Sequence, residues 1–265
     1  MAAAAQRDVS DHYARQAKRE GYVARSAYKL LEIQQKKKII NRGDRVLDLG
    51  CAPGAWLQVA CQALGPFKAG GTVIGIDLKP VRIPQRHCDR RVVVLQGDAL
   101  EMSLSEIVAQ AEGQQQRHQP SSAIGHEPDE DRERSQAETD EGHEHARPSS
   151  SEEETDAAGN HTAHHTVKPF DVVLSDMMSS TAGHAATDHF RSVELARRAL
   201  ELAMHALRPG GSFVVKVFEG EAYNDFLQEC RMCFPAVKGF SPKASRNESR
   251  EMFVICERFK PIEGN

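Results

Sequence analysis

Short apolar runs that stop on a glycine or an acid constrain this chain more than anything else in it. Arg45-Val-Leu-Asp-Leu-Gly50 runs into Cys51-Ala-Pro-Gly54, and Thr72-Val-Ile-Gly-Ile-Asp77 ends on a carboxylate. Arg91-Val-Val-Val-Leu-Gln96 leads to Gly97-Asp98, and Phe170-Asp-Val-Val-Leu-Ser175 stops at Asp176. Runs this short, rich in valine and isoleucine, read as buried strands. Helical spacing separates them. Residues 24 to 38 carry Ala27, Leu30, Leu31 and Ile33 as an apolar stripe beside a basic face. Further helices are expected from Ala55 to Leu64, from Asp188 to Leu207 up to the break at Pro209-Gly210-Gly211, and near Ala222 to Cys233. Strands over Ser212 to Phe218 and Glu251 to Glu257 complete the set. The alternation predicts an α/β fold, a mostly parallel sheet with helices on both faces.

Sheets of this kind bind ligands at the carboxyl ends of their strands, which here carry Gly50 to Gly54, Asp77, Asp98 and Asp176. The glycines let the backbone turn tightly and approach a ligand, and Asp77 is placed to accept hydrogen bonds from ribose hydroxyls. Neither G-x-G-x-x-G nor G-x-x-x-x-G-K-[ST] occurs, so a nucleotide-type cofactor without a pyrophosphate fits better than NAD or ATP. Trp56, the only tryptophan, reads by itself as a core residue under the helix.

Charge divides the chain. Its net −4 conceals a segment, residues 111 to 168, with 14 acids against five bases, and a first stretch, residues 1 to 45, with 11 bases against five acids. That stretch includes Lys36, Lys37 and Lys38, which read either as a surface for an acidic polymer or as a solvated helix end. In 111 to 168 only Ile124 and Val167 represent the large apolar residues, too few to offset the entropy of ordering, so the segment is expected to be disordered. The simplest organisation is one domain over residues 1 to 265, with 111 to 168 an acidic insert in a surface loop. His161, His164 and His165 raise metal binding inside the insert, and Cys230-x-x-Cys233 raises it outside, but no second cysteine pair at ligand spacing exists and no metal is expected. No apolar run is long enough for a membrane span, and the cysteines read as reduced thiols of an intracellular chain.

Five motifs in order then carry a resemblance. Arg25-Ser-Ala-Tyr-Lys-Leu30, Asp48-Leu-Gly-Cys-Ala-Pro-Gly-Ala-Trp56, Leu174-Ser-Asp-Met177, Pro209-Gly-Gly-Ser-Phe-Val-Val-Lys-Val-Phe218, and Lys243-Ala-Ser-Arg246 with Ser249-Arg-Glu251 are similar to the FtsJ (RrmJ) family of ribosomal RNA 2'-O-ribose methyltransferases. The likeness covers about residues 13 to 110 and 169 to 260. Thr181-Ala-Gly-His-Ala-Ala-Thr-Asp-His189 resembles the bacterial branch and its organellar relatives.

The resemblance implies a class I, Rossmann-like fold that uses S-adenosyl-L-methionine, and a catalytic set of Lys29, Asp176, Lys216 and Glu251. It assigns Gly54 and Trp56 to the methionine moiety, Asp77 to the ribose and Asp98 to the adenine, with Asp176 also at the cofactor. A ribose hydroxyl is a poor nucleophile until its proton is removed. Lys216, set between Val215 and Val217, is the expected general base, with Lys29 and Glu251 orienting the groups and Asp176 holding Lys216. Two departures stand out: Met178-Ser179-Ser180 where many members have Ala-Pro-Asn, and Met252-Phe253 where a tyrosine is frequent. The implied partner is RNA, ribosomal RNA or the large ribosomal subunit first, with a monomeric enzyme and no membrane. Transfer RNA methylation, a non-catalytic RNA-binding assembly factor and, less well, a dinucleotide oxidoreductase remain as alternatives. The branch likeness favours a mitochondrial or other organellar location over the cytoplasm, although Asp8 and Asp11 are unusual in a transit peptide.

Overall fold

The computed structural model describes residues 12–117, 170–179, 184–245 and 250–261. The elements run α1 (residues 12–20), α2 (Ala27–Lys37), β1 (Arg45–Leu49), α3 (Ala55–Ala63), β2 (Thr72–Asp77), β3 (Val92–Gln96), α4 (Leu104–Arg117), β4 (Phe170–Ser175), α5 (Ala185–Ala206), β5 (Leu207–Phe218), α6 (Tyr223–Cys233), β6 (Ala236–Phe240) and β7 (Glu251–Glu257). All seven strands join one sheet in the order β3-β2-β1-β4-β5-β7-β6. The first five are parallel, and β7 enters antiparallel between β5 and β6. Strands from both sides of the acidic segment therefore build the same sheet.

Side-chain alternation along the strands splits the core in two. Leu47 and Leu49 of β1 and Val215 and Val217 of β5 pack under α4, α5 and α6, whereas Val46 and Val214 pack under α2 and α3. Leu30 and Ile33 anchor α2 on the second face at zero exposure, each burial contributing about 1.5–3 kcal/mol. Since Lys216 is two residues beyond Val214, it faces α2. Helix α2 ends where Lys38 turns left-handed (φ 49°) and its N–H returns to the Gln34 carbonyl.

Several expectations shift. The first 20 residues hold a helix over 12–20, and α4 continues to Arg117 with Ala111 buried, so 111–117 belong to an ordered helix rather than to a disordered insert. The remainder of the expected insert, from residue 118 to 168, lies outside the described residues, as do His161, His164 and His165. Pro209-Gly210-Gly211 does not precede the strand but lies within β5, because Leu207 already pairs with Phe170 and residues 210 and 211 exchange backbone bonds with Phe259 (2.7 and 2.9 Å). Strand β6 escaped the sequence reading. Cys230 and Cys233 are buried on the inward side of α6, beside Cys256 of β7. No described helix is long and apolar enough to cross a membrane.

Candidate active site

The strand ends that carry Gly50, Asp77, Asp98 and Asp176 open into a cleft of about 900 Å³, which Lys29, Lys216 and Glu251 also line. Gly50 adopts φ 77°, and a Cβ there would come within 2.7 Å of Met177 Cγ. Only glycine lets the chain turn out of β1 this close to the loop after β4.

Two lysine–carboxylate pairs dominate the wall. Lys216 Nζ lies 2.8 Å from the Asp176 carboxylate and donates to the Asp176 backbone carbonyl at 2.8 Å. Lys29 Nζ, arriving from α2, contacts both carboxylate oxygens of Glu251 at 2.7 and 2.8 Å. All four side chains are largely buried, with exposures of 5% and 18% in the first pair and 10% and 9% in the second. Each amine exchanges water for a carboxylate, which is the condition for burying charge without a prohibitive cost. Register brings the pairs together: Lys216 faces Phe253 and Phe218 faces Glu251 across β5 and β7, so Lys216 and Glu251 are diagonal neighbours on one face, within reach of each other for long side chains. The four residues that the motifs single out thus share one wall.

On the other side, the Asp77 carboxylate is oriented by backbone, accepting from Ala52 N–H (2.8 Å) and Lys79 N–H (2.9 Å). Asp98 accepts from Leu100 N–H at 3.0 Å. In both, the side chain closes a turn with the N–H two residues on and still borders the cleft. Leu78 is 68% exposed at this side, an apolar surface next to the Asp77 carboxylate.

Gly54 and Trp56 are not brought to the cleft wall. Gly54 caps α3 at φ 105°, and Trp56 is a core residue, with its indole N–H donated to the Ser26 carbonyl (3.0 Å) and its ring 5.6 Å from that of Phe253. The tryptophan thus acts beneath the site, holding the start of α2 over β7.

Two groups that the sequence reading left without a role belong to the site. Ser245 Oγ, from the Lys-Ala-Ser-Arg motif, donates to Glu251 Oε1 at 2.9 Å and fixes that carboxylate from the side away from Lys29. Asp48 is wholly buried on β1, and neither carboxylate oxygen has a partner among the described residues. Burial holds its carboxyl far above the ordinary carboxylate range, and Asp176 and Asp77 push it the same way. The basic run is placed elsewhere: Lys37 pairs with Glu257 (2.6 Å) and Lys36 Nζ lies 4.4 Å over the Phe240 ring, at the end of α2 remote from Lys29. Among the described residues no group of three or more histidine, cysteine or acidic side chains is arranged to hold a metal.

Comparison with known proteins agrees with this geometry. The model of the FtsJ-like methyltransferase family matches residues 22–259. "Ribosomal RNA large subunit methyltransferase E" of Methanothrix thermoacetophila is 38% identical over 95% of this chain and 74% of its own length. The protein of the same name from Syntrophobacter fumaroxidans is 38% identical over 95% of this chain and 97% of its own. A crystal structure described as a ribosomal RNA methyltransferase from Plasmodium falciparum superposes with a TM-score of 0.61 at 21% identity, over 91% of this chain and all of that one, which speaks for the fold.

Proposed function

The chain belongs to the FtsJ-like methyltransferase family, and from that premise we propose that it transfers a methyl group from S-adenosyl-L-methionine to a ribose 2'-hydroxyl of large-subunit ribosomal RNA. The observation that carries the reading is the two buried lysine–carboxylate pairs, Lys216–Asp176 and Lys29–Glu251, lining one cleft together with the carboxylates Asp77 and Asp98. The names of the curated relatives support ribosomal over transfer RNA as substrate.

The residues fit the donor. Asp77 and Asp98 would hold its ribose and adenine, and Leu78 offers an apolar face for the base. When bound, S-adenosylmethionine supplies an electrophilic methyl group on a sulfonium. Everything else is the work of this chain. Lys216 accepts the proton of the acceptor hydroxyl only as the free amine, having first released its own proton to solvent through the open cleft, and Asp176, in contact with that nitrogen, stabilises the ammonium that results. Lys29 and Glu251, braced by Ser245, orient the hydroxyl, and alignment of the oxygen with the methyl carbon supplies much of the rate. The reading treats the residues between α4 and β4 as an insertion in a single methyltransferase domain, and the enzyme as a monomer. The mitochondrial expectation draws nothing from the relatives above, which are archaeal and bacterial.

The test is to incubate the purified chain with methyl-labelled S-adenosylmethionine and large ribosomal subunits lacking the modification, with deproteinised ribosomal RNA and transfer RNA alongside. Label in one 2'-O-methylnucleotide of large-subunit RNA is the expected result. Label only in transfer RNA, or on a base, would overturn the assignment.

A further inference from the structure

The first turns of α5, with His189 and Ser192, have no part in the chemistry above, yet they hold a connected buried polar cluster next to it. The β4–β5 ladder ends with Ser175 opposite Val215, so three residues on, at Phe218, β5 has no strand neighbour on that side. Side chains replace the strand. Ser192 Oγ accepts the Phe218 N–H at 2.9 Å, and the Phe218 carbonyl accepts from His189 Nδ1 at 2.8 Å. The same hydroxyl donates back to the His189 carbonyl at 2.8 Å, which fixes its direction within the helix. His189 Nε2 accepts the Ala222 N–H at 3.0 Å, so the ring bridges the end of β5 to the start of α6. A carbonyl on one nitrogen and an N–H on the other specify the neutral ring protonated at Nδ1. Both side chains are buried, and Gly220 makes room for the ring, because a Cβ there would lie 2.5 Å from its Cγ.

We propose that His189 and Ser192 are positioning residues for methyl transfer, clamping the Phe218 backbone and thereby setting how the end of β5 presents Lys216 to Glu251. Phe218 is two residues beyond Lys216, stands directly opposite Glu251 in the β5–β7 register, and borders the cleft itself. Its main chain thus joins Lys216, two residues back along β5, to Glu251, opposite it on β7, and the clamp grips both of its polar groups. The inference rests on reading Lys216 and Glu251 as catalytic machinery, and concerns which other residues keep them in register.

Ser192→Ala removes one hydroxyl from a helix and leaves the apolar core intact. Misplacement by about 1 Å costs on the order of 100-fold in rate, so the expected loss in kcat is about 10- to 100-fold. KM for RNA and the Kd for S-adenosylmethionine should each stay within about twofold, and Ser192→Thr, which keeps the hydroxyl, should restore kcat. His189→Gln should lower kcat in the same sense. A second readout is independent of activity: amide hydrogen exchange at Phe218 should accelerate at least about tenfold in Ser192→Ala, while Val214 and Val215, inside the ladder, keep their protection. Normal kcat and unchanged exchange at Phe218 in folded Ser192→Ala overturn the clamp, as does a loss confined to KM. Lys216→Ala run in parallel separates the two readings. If it is inactive while Ser192→Ala is normal, only the clamp is wrong; if it remains active, the base assignment itself fails.

Discussion

Helix α2 and strand β7 meet in two lysine–glutamate pairs, one at each end, and the two do different things. Lys29–Glu251 sits at the cleft with both side chains about one-tenth exposed, while Lys37–Glu257 sits at the far end with exposures of 29% and 28%. Their contacts are nearly equal in length, 2.7 and 2.6 Å. Eight residues along the helix and six along the strand separate them, about 12 Å and about 20 Å. What differs is the surroundings. Glu251 is also held by Ser245, and Lys29 lies 5.7 Å from the Phe253 ring, so the inner pair cannot relax into water. The outer pair can, and is screened. Identical residue types on the same two elements are thus a buried cleft-lining pair at one end and a surface contact at the other. Burial and neighbours, rather than the pairing itself, decide which.

The sharpest way to break this contrast is to remove the amine assigned to proton transfer. Lys216→Ala should lower the rate of methyl transfer by about 10²- to 10⁴-fold, the usual worth of a positioned base, with S-adenosylmethionine affinity by calorimetry nearly unchanged. Loss of donor binding in the folded variant would show that Lys216 serves the donor side.

Next in size is the inner pair. Lys29→Met leaves Glu251 buried without its cation, which should cost about 3–5 kcal/mol in denaturant unfolding and most of the activity. Lys29→Met with Glu251→Leu should recover most of the stability and none of the transfer. Recovery of both would make this pair as structural as its outer counterpart. Asp77→Ala tests a cleft carboxylate tied by backbone N–H groups rather than by a lysine. It should weaken donor binding by about 1–3 kcal/mol and leave the transfer rate of the saturated enzyme largely intact. An unchanged Kd would remove Asp77 from the donor site.

The same contrast explains what could be seen from sequence. Strands β2, β4 and β7 begin and end where their apolar runs do, since a strand buried on both faces announces itself as a continuous run. Strand β6, Ala236–Phe240, is an edge with half-exposed residues on both faces and a lysine and a glycine inside, so it has no such signature. Helix α4 buries only Ile107, Val108 and Ala111 and ends in a run of glutamines, which makes its last turns look like the polar segment that follows. That Lys29, Asp176, Lys216 and Glu251 would meet in one cleft was legible through their motifs. Ser245, His189 and Ser192 were not, because each acts through a partner that only the fold supplies: Glu251 for Ser245 and Phe218 for the clamp. Trp56 erred the other way. Its motif pointed to the ligand, and its indole N–H is spent on Ser26.

The smallest effect is expected at the outer end, where the sequence raised an RNA-binding surface at Lys36 to Lys38. Removing one lysine–phosphate interaction should flatten the dependence of log K on log salt by up to about one unit, so removing three would give a change of about three. The structure leaves little room for that. Lys37 is engaged with Glu257 and Lys36 with the Phe240 ring, while Lys38 supplies the left-handed turn that ends α2. All three lie at the opposite end of α2 from the lysine that reaches the cleft. Changing them together to glutamine should therefore shift the slope for ribosomal RNA by less than about one unit, and stability by no more than about 1 kcal/mol, the worth of an exposed pair. Methyl transfer at fixed low salt should be unaltered. A slope flatter by about two units or more would mean that RNA wraps the helix from Lys29 to Lys38, and the outer pair would then be an interaction that RNA displaces rather than a surface bridge.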